Sequence, residues 1–241
     1  MSKHIDESEL NLDKFLAKHY IHKSNWLRAA VLGANDGIIS TSSLAIGIVT
    51  ANASRDSIVL AVVAGVVAGA LSMAAGEYVS VSSQTDIEKA DIERERRELE
   101  EMPELELRML AHIYEKRGLK KETAMQVAKE LTNHNVLDAH VRDELGINEI
   151  NKTNPLQAAL SSGASFILGG TLPMLVVLFF PLDNLEYVLY GFSIIALALL
   201  GAVSAKTGGS NILKAVIRVT FWGSIAMGLT ALVGLLFGIT V

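Results

Sequence analysis

Apolar residues along this chain fall into five long runs, at about 29–50, 57–81, 156–180, 187–205 and 215–239. A helix needs roughly 20 apolar residues to cross about 30 Å of hydrocarbon, and most of these runs reach that length, the fourth being the shortest. Nowhere does polarity alternate with the period of two that a half-buried strand requires. The pattern predicts an all-α fold, a five-span helical membrane protein.

A polar stretch, residues 82–155, separates runs two and three, and acidic side chains outnumber basic ones within it. It reads as a helical insert with its own organisation. No breaker lies between Gly76 and Met102, so one helix is expected to leave the bilayer and run through "TDIEKADIERERRELEEM" until Pro103 stops it. A second helix, "ELELRMLAHIYEKR", ends at Gly118, a residue suited to the left-handed position after a helix. A third is expected over 121–133 and a fourth, "VLDAHVRDEL", ends at Gly146. Asn154 and Pro155 then supply the cap and first turn of span three. The chain divides into an arm (1–28), spans one and two (29–81), the insert (82–155) and spans three to five (156–241).

Positive charge sets the orientation. Lys14, Lys18, Lys23 and Arg28 mark the arm, and Lys206 and Lys214 mark the loop between spans four and five, with Arg218 just beyond, whereas the other face has only Arg55. The arm, the insert and that loop are expected in the cytoplasm, with Val241 on the far side. The first residues lack the apolar core and cleavage site of a secretory signal peptide.

Composition changes the picture mainly by exclusion. The chain is 50% hydrophobic, has a mean hydropathy of +0.36 and contains no cysteine, which removes disulfide scaffolds, thiolate metal sites and cysteine nucleophiles. A net charge of -5 argues against a nucleic-acid partner, which needs a basic footprint.

The informative residues are ionisable groups inside the spans, which cost several kcal/mol unless paired, hydrated or metal-bound. Asp36 sits in span one between Gly33 and Gly37, and Met73 and Glu77 lie one turn apart on span two. Two plainer readings stand beside a metal path. Glu77 is near the end of its span, where a long polar side chain reaches headgroup water; Asn35 and the glycines around Asp36 would suit a hydrated break. Carboxylates alone suit Mg2+, Ca2+ and Mn2+, and a thioether adds affinity for softer ions such as Fe2+, although methionine in a membrane helix usually serves packing.

Small residues form two stripes on span two: Ala64, Ala68, Ser72 and Gly76, and Ala61, Gly65 and Gly69. Such faces allow close approach of helices, either to span one and a second copy of the chain or within one monomer.

The insert offers a second donor set. Asp91, Glu95, Glu98 and Met102 share one helix face, and a fold at Pro103 would bring Glu104 and Glu106 near it. The alternative is a solvated face with an ordinary Glu93–Arg97 pair. His140 and Glu144 are spaced to share a metal or to form an exposed surface pair. No Glu-x-x-His precedes any histidine, as di-iron bundles require, there is no HExxH, and "GAVSAKTGG" lacks the glycine before its lysine that a phosphate loop needs.

"NDGIIS" in span one, "GALSMAAGEYVSVSSQ" in span two, the acidic insert, "HVRDELGI" and "GGTLPML" in span three together resemble the vacuolar iron transporter family, from about Trp26 to the C-terminus. The resemblance implies a homodimer of five-span chains that exchanges cytosolic Fe2+, and often Mn2+, for protons. It places Asp36 and Met73 in the ion pathway. It assigns metal gathering to the insert residues Glu95, Glu98, Glu106 and Glu144. This chain departs from the pattern at Gly65, where plant-type members carry a pathway glutamate. Glu77 is then a candidate replacement. It also departs at Met109, which stands for an insert glutamate, and at His140, which stands for an insert methionine. Selectivity among Fe2+, Mn2+, Co2+ and Zn2+ is therefore open.

The expected mechanism is transport, not enzymatic catalysis. The insert concentrates divalent ions, Glu77 and Met73 accept one, and Asp36 passes it on and takes a proton in return, because ion and proton compete for a desolvated carboxylate. Export of this kind would detoxify the cytoplasm, across a plasma membrane in a bacterium or a vacuolar-type membrane in a eukaryote. Two rivals are a membrane-anchored iron oxidase or storage enzyme and a metal-sensing scaffold. Pro173, after Gly169 and Gly170, would either kink span three for a rocking motion or bend it statically.

Overall fold

The computed structural model describes residues 24–147 and 154–238. The arm lysines Lys14, Lys18 and Lys23 and the chain end at Val241 lie outside the described residues. Among the described residues there are seven helices and no strand: α1 (Ser24–Thr50), α2 (Arg55–Glu101), α3 (Pro103–Lys116), α4 (Lys121–Asp143), α5 (Pro155–Phe179), α6 (Leu185–Thr207) and α7 (Ile212–Gly238). The fold is all-α, and five of the helices, α1, α2, α5, α6 and α7, are long and apolar enough to cross a membrane.

Local chemistry explains where these helices stop. Helix α2 runs for 47 residues because nothing breaks it before Met102. Met102 itself leaves helical geometry (φ -136°, ψ 50°) because the ring of Pro103 disfavours the α region for the preceding residue, and Pro103 then opens α3. Gly118 and Gly146 take φ of +101° and +68° after α3 and α4, a region that costs glycine nothing. The two helices expected over 121–145 are both present as the two halves of α4, which meet at a break in helical geometry. The break is at Asn135 (φ -163°, ψ 95°), whose side-chain oxygen accepts the Asp138 N–H at 3.2 Å and so caps the second half. The surface pairing differs, since Glu93 lies against Arg96 (3.7 Å) instead of Arg97, and Arg94 takes Glu98 (3.0 Å).

The chain forms two compact units, one of Met1–Tyr78 with Pro155–Val241 and one of Val79–Asn154. In the first, α1 packs against α5, α6 and α7. Glycine sets the closest contact: a Cβ at Gly33 would fall on the Ser162 carbonyl, one at Gly37 on that of Phe166 and one at Gly169 on that of Ala34. The glycines flanking Asp36 therefore serve backbone-to-backbone packing of α1 on α5. Helix α1 is unbroken from Ser24 to Thr50, which overturns the reading of a hydrated break at Asn35 and its neighbouring glycines. Ile58, Val62, Val177, Leu185, Leu189 and Met227 fill the aliphatic core. Arg55 donates to the carbonyls of Val177, Leu178 and Phe180, satisfying the open end of α5.

The second unit is organised by α3 packed on α4 through Leu110, Ala111, Ala128 and Ala139. At one end Asp143 accepts from the Tyr114 hydroxyl (2.6 Å) and from Arg117 (2.7 Å). Burial alone would raise the Asp143 pKa, but these two donors outweigh it and hold the carboxyl below the usual range.

Candidate functional site

Helices α1, α2 and α5 surround a cavity of about 190 Å³ in the first unit, lined by Asp36, Ser40, Thr41, Leu44, Gly65, Gly69, Ser72, Met73 and Phe166. Helical spacing puts these groups on facing stripes: Asp36, Ser40 and Leu44 recur every fourth residue, as do Gly65, Gly69 and Met73. The glycines are what leave room. A Cβ at Gly69 would fall on the Phe166 ring, and one at Gly65 would come within 2.6 Å of Leu44 Cδ2. One carboxylate, one thioether and three hydroxyls thus share a small space, the donors that a partly dehydrated cation needs.

Glu77 lies outside this lining. Its carboxylate is 3.8 Å from the Arg28 guanidinium, with side-chain exposures of 13% and 70%. Of the two small-residue stripes on α2, the Gly65–Gly69 one faces Leu44 and Phe166. Ala64, Ala68, Ser72 and Gly76 are exposed, and nothing lies within 4 Å of a Cβ built at Gly76.

The second unit holds a different donor set. One ligand atom from each of Glu95, Glu106, His140 and Glu144 lies within 4.8 Å of the others. His140 is fully buried, not part of an exposed surface pair as the sequence also allowed. Its Nδ1 is 2.9 Å from Glu144 Oε2, 2.9 Å from Glu95 Oε1 and 3.9 Å from Glu106 Oε2. A neutral imidazole nitrogen carries at most one proton, so it cannot satisfy three carboxylates. Glu144 has hydrogen-bond geometry, whereas Glu95 Oε1, Glu106 Oε2 and His140 Nε2 are buried without a partner. Burial pushes the Glu95 and Glu106 carboxyls above their ordinary range, and repulsion from Glu144 adds to the effect, partly offset by His140. Three carboxylates converging on one imidazole are a donor set of the kind that holds a divalent cation.

The acidic stripe on α2 divides in the fold. Glu95 turns inward, Glu98 is half-buried against Arg94, and Asp91 and Met102 are exposed. Met109 lines a groove of about 460 Å³ with Arg108, His112, Lys116, Asp143 and Glu144. Sequence reasoning did not single out Ser40, Thr41 or Phe166 around the membrane cavity, named Ser72 only as a packing residue, and did not give Arg28 as the neighbour of Glu77. The signal for Ser40 was available, as a hydroxyl four residues along the helix from Asp36.

Comparison with known proteins bears on what this pair of donor sets belongs to. The VIT family model matches residues 27–235. The chain belongs to the vacuolar iron transporter (VIT) family. It is 44% identical to a vacuolar iron transporter of Acanthamoeba castellanii, over 91% of this chain and 81% of that one. Vacuolar iron transporter homolog 1 of Oryza sativa is 34% identical over 91% of this chain and 77% of its own. Homolog 2 of Arabidopsis thaliana is 32% identical over 96% and 98%. With its five long apolar helices, this VIT chain is a multi-pass membrane protein. The three positions noted in the sequence have definite places: Gly65 beside Leu44 in the cavity wall, Met109 on the open groove, and His140 at the centre of the buried cluster.

Proposed function

We propose that this protein is a secondary transporter that moves divalent iron, and manganese as a second cargo, out of the cytoplasm in exchange for protons. The observation that carries the reading is the cavity among three membrane helices where Asp36 and Met73 meet hydroxyl oxygens. A carboxylate with a thioether in such a space has no packing role that leucine would not fill better; it suits an ion shedding water.

In this reading the α2–α4 unit lies on the cytoplasmic side and loads the ion. Glu95, Glu106, His140 and Glu144 bind one cation, with Glu98 and Met109 at the margin of the site. Glu77 meets the ion before the cavity, exchanging its contact with Arg28 for the cation. Met73 and Asp36 then hold it, and proton and cation compete for the Asp36 carboxylate. The exposed stripe Ala64–Ala68–Ser72–Gly76 supports a homodimer built on α2, because smooth faces are where membrane helices associate. The family's transporter names support iron as the cargo. An iron oxidase needs paired ions, and the one convergent His/Glu group among the described residues supplies ligands for one.

Purified protein in liposomes with an imposed pH gradient tests this. Fe2+ and Mn2+ uptake that depends on the gradient and vanishes in Asp36→Ala is expected. Uptake indifferent to the gradient and to Asp36 would overturn it.

A further inference from the structure

Hydroxyl groups in a membrane helix have no water to bond, so they normally donate back to the carbonyl four residues earlier. Several hydroxyls of the membrane unit show that habit. Ser40 donates to Asp36 O (2.6 Å), Thr50 to Ile46 O (2.9 Å), Thr171 to Ile167 O (2.6 Å), Thr220 to Val216 O (2.8 Å) and Thr230 to Ala226 O (3.0 Å). Ser42 instead pairs with Ser193 across helices at 2.6 Å. Thr41 does neither: it is 3% exposed, and its Oγ1 is buried without a partner.

Two other serines in the membrane unit, Ser43 and Ser162, share that condition, but only Thr41 among the three lines the cavity with Asp36 and Met73. Space for its oxygen is kept by a neighbour. A Cβ at Gly170 would come within 2.8 Å of Thr41 Oγ1 and 3.5 Å of the Gly37 carbonyl. An unsatisfied buried hydroxyl costs free energy of order 1–3 kcal/mol, so its persistence beside a carboxylate and a thioether points to an intermittent partner.

We propose that Thr41 is a further ligand of the transported ion, its Oγ1 replacing a water of hydration on a divalent cation held by Asp36 and Met73. The assignment rests on the transport reading given above. A hydroxyl suits the task because it offers lone pairs to the cation and adds no charge. A site with one carboxylate keeps the bound ion partly uncompensated, so it can leave. Gly170 is the positioning residue that leaves the oxygen room.

The test is Fe2+ flux into liposomes containing the full chain, for the parent, Asp36→Ala, Thr41→Val, Thr41→Ser and Thr41→Cys. Thr41→Val keeps the shape and loses the oxygen, and it is expected to raise the half-saturating Fe2+ concentration by about 10-fold or more, the scale of a disturbed metal ligand sphere. Thr41→Ser should recover most of that loss. Thr41→Cys places a soft donor in the cavity and should raise Cd2+ flux relative to Fe2+, a readout that packing defects do not move. Parent-like behaviour of Thr41→Val with Asp36→Ala inactive would overturn the assignment and leave the pathway standing. An unchanged Cd2+ to Fe2+ ratio in Thr41→Cys would also overturn it. Parent-like flux in Asp36→Ala would instead remove the transport reading itself.

Discussion

The two donor sets differ in charge more than in size. The membrane cavity gathers one carboxylate, one thioether and hydroxyls, whereas the α2–α4 unit sets three carboxylates around one imidazole. In hydrocarbon each added charge is costly, so few are carried, and neutral oxygens and sulfur make up the coordination. The polar unit can hold several carboxylates near one another at the cost of raising their affinity for protons, as Glu95 and Glu106 illustrate. The first arrangement fits brief binding and release. The second fits capture.

The sharpest way to break this contrast is to empty each site in turn. Asp36→Ala is expected to abolish gradient-driven Fe2+ flux in liposomes while Fe2+ binding by calorimetry at the polar unit persists; loss of both would mean the sites are not separate. His140→Ala is expected to weaken that binding by ~10–100-fold and leave maximal flux near the parent's. Binding unchanged in His140→Ala would show that the imidazole is not a ligand.

Packing comes next in size. Gly37→Ala presses a methyl group on the Phe166 carbonyl and should destabilise the membrane unit by about 1–3 kcal/mol, read as a lower melting temperature in detergent. The same change at Gly76, where nothing lies within 4 Å, should be silent in the monomer.

Protons give a smaller and more specific test. Folding holds the Glu95 and Glu106 pKa above 4.5, so the folded metal-free unit binds more protons than the unfolded chain. Their contribution to stability is therefore present at low pH and is lost as pH rises from 4.5 through the raised values. Asp143 runs the other way: its contribution is present above 3.8 and is lost as pH falls through its lowered value. Melting of chelator-treated protein should become easier between weakly acidic and neutral pH, and saturating Mn2+ should cancel the slope. A flat curve without metal would contradict the raised carboxyls. The smallest effect expected is that of Arg28→Ala, whose exposed pairing with Glu77 is worth at most about 1 kcal/mol to stability. A large loss of flux in Arg28→Ala would give that contact a role in ion entry.

Much of this architecture was readable from local pattern. Five apolar runs gave the spans, and Pro103, Gly118 and Gly146 gave the stops, because helix termination is decided by one or two residues. The break at Asn135 was readable too, since asparagine leaves helical geometry easily and caps the segment that follows it. The placement of the acidic stripe was less readable. Asp91, Glu95, Glu98 and Met102 share a face, yet burial selects Glu95 and leaves Asp91 and Met102 exposed. Glu77 likewise shares a face with Met73, but the structure sets it beside Arg28, outside the cavity lining.

The sequence by itself determined which segments are helical, which of them are apolar enough to cross a membrane, and which donor types exist at all, since these depend on neighbours within a few residues. Only the tertiary structure decided which donors converge. His140 meets Glu95 and Glu106 from other helices, and the unpartnered oxygen of Thr41 has room because Gly170 opposite it has no side chain. Helical periodicity fixes the direction of a side chain from its own axis; what stands across from it is set by how another helix packs.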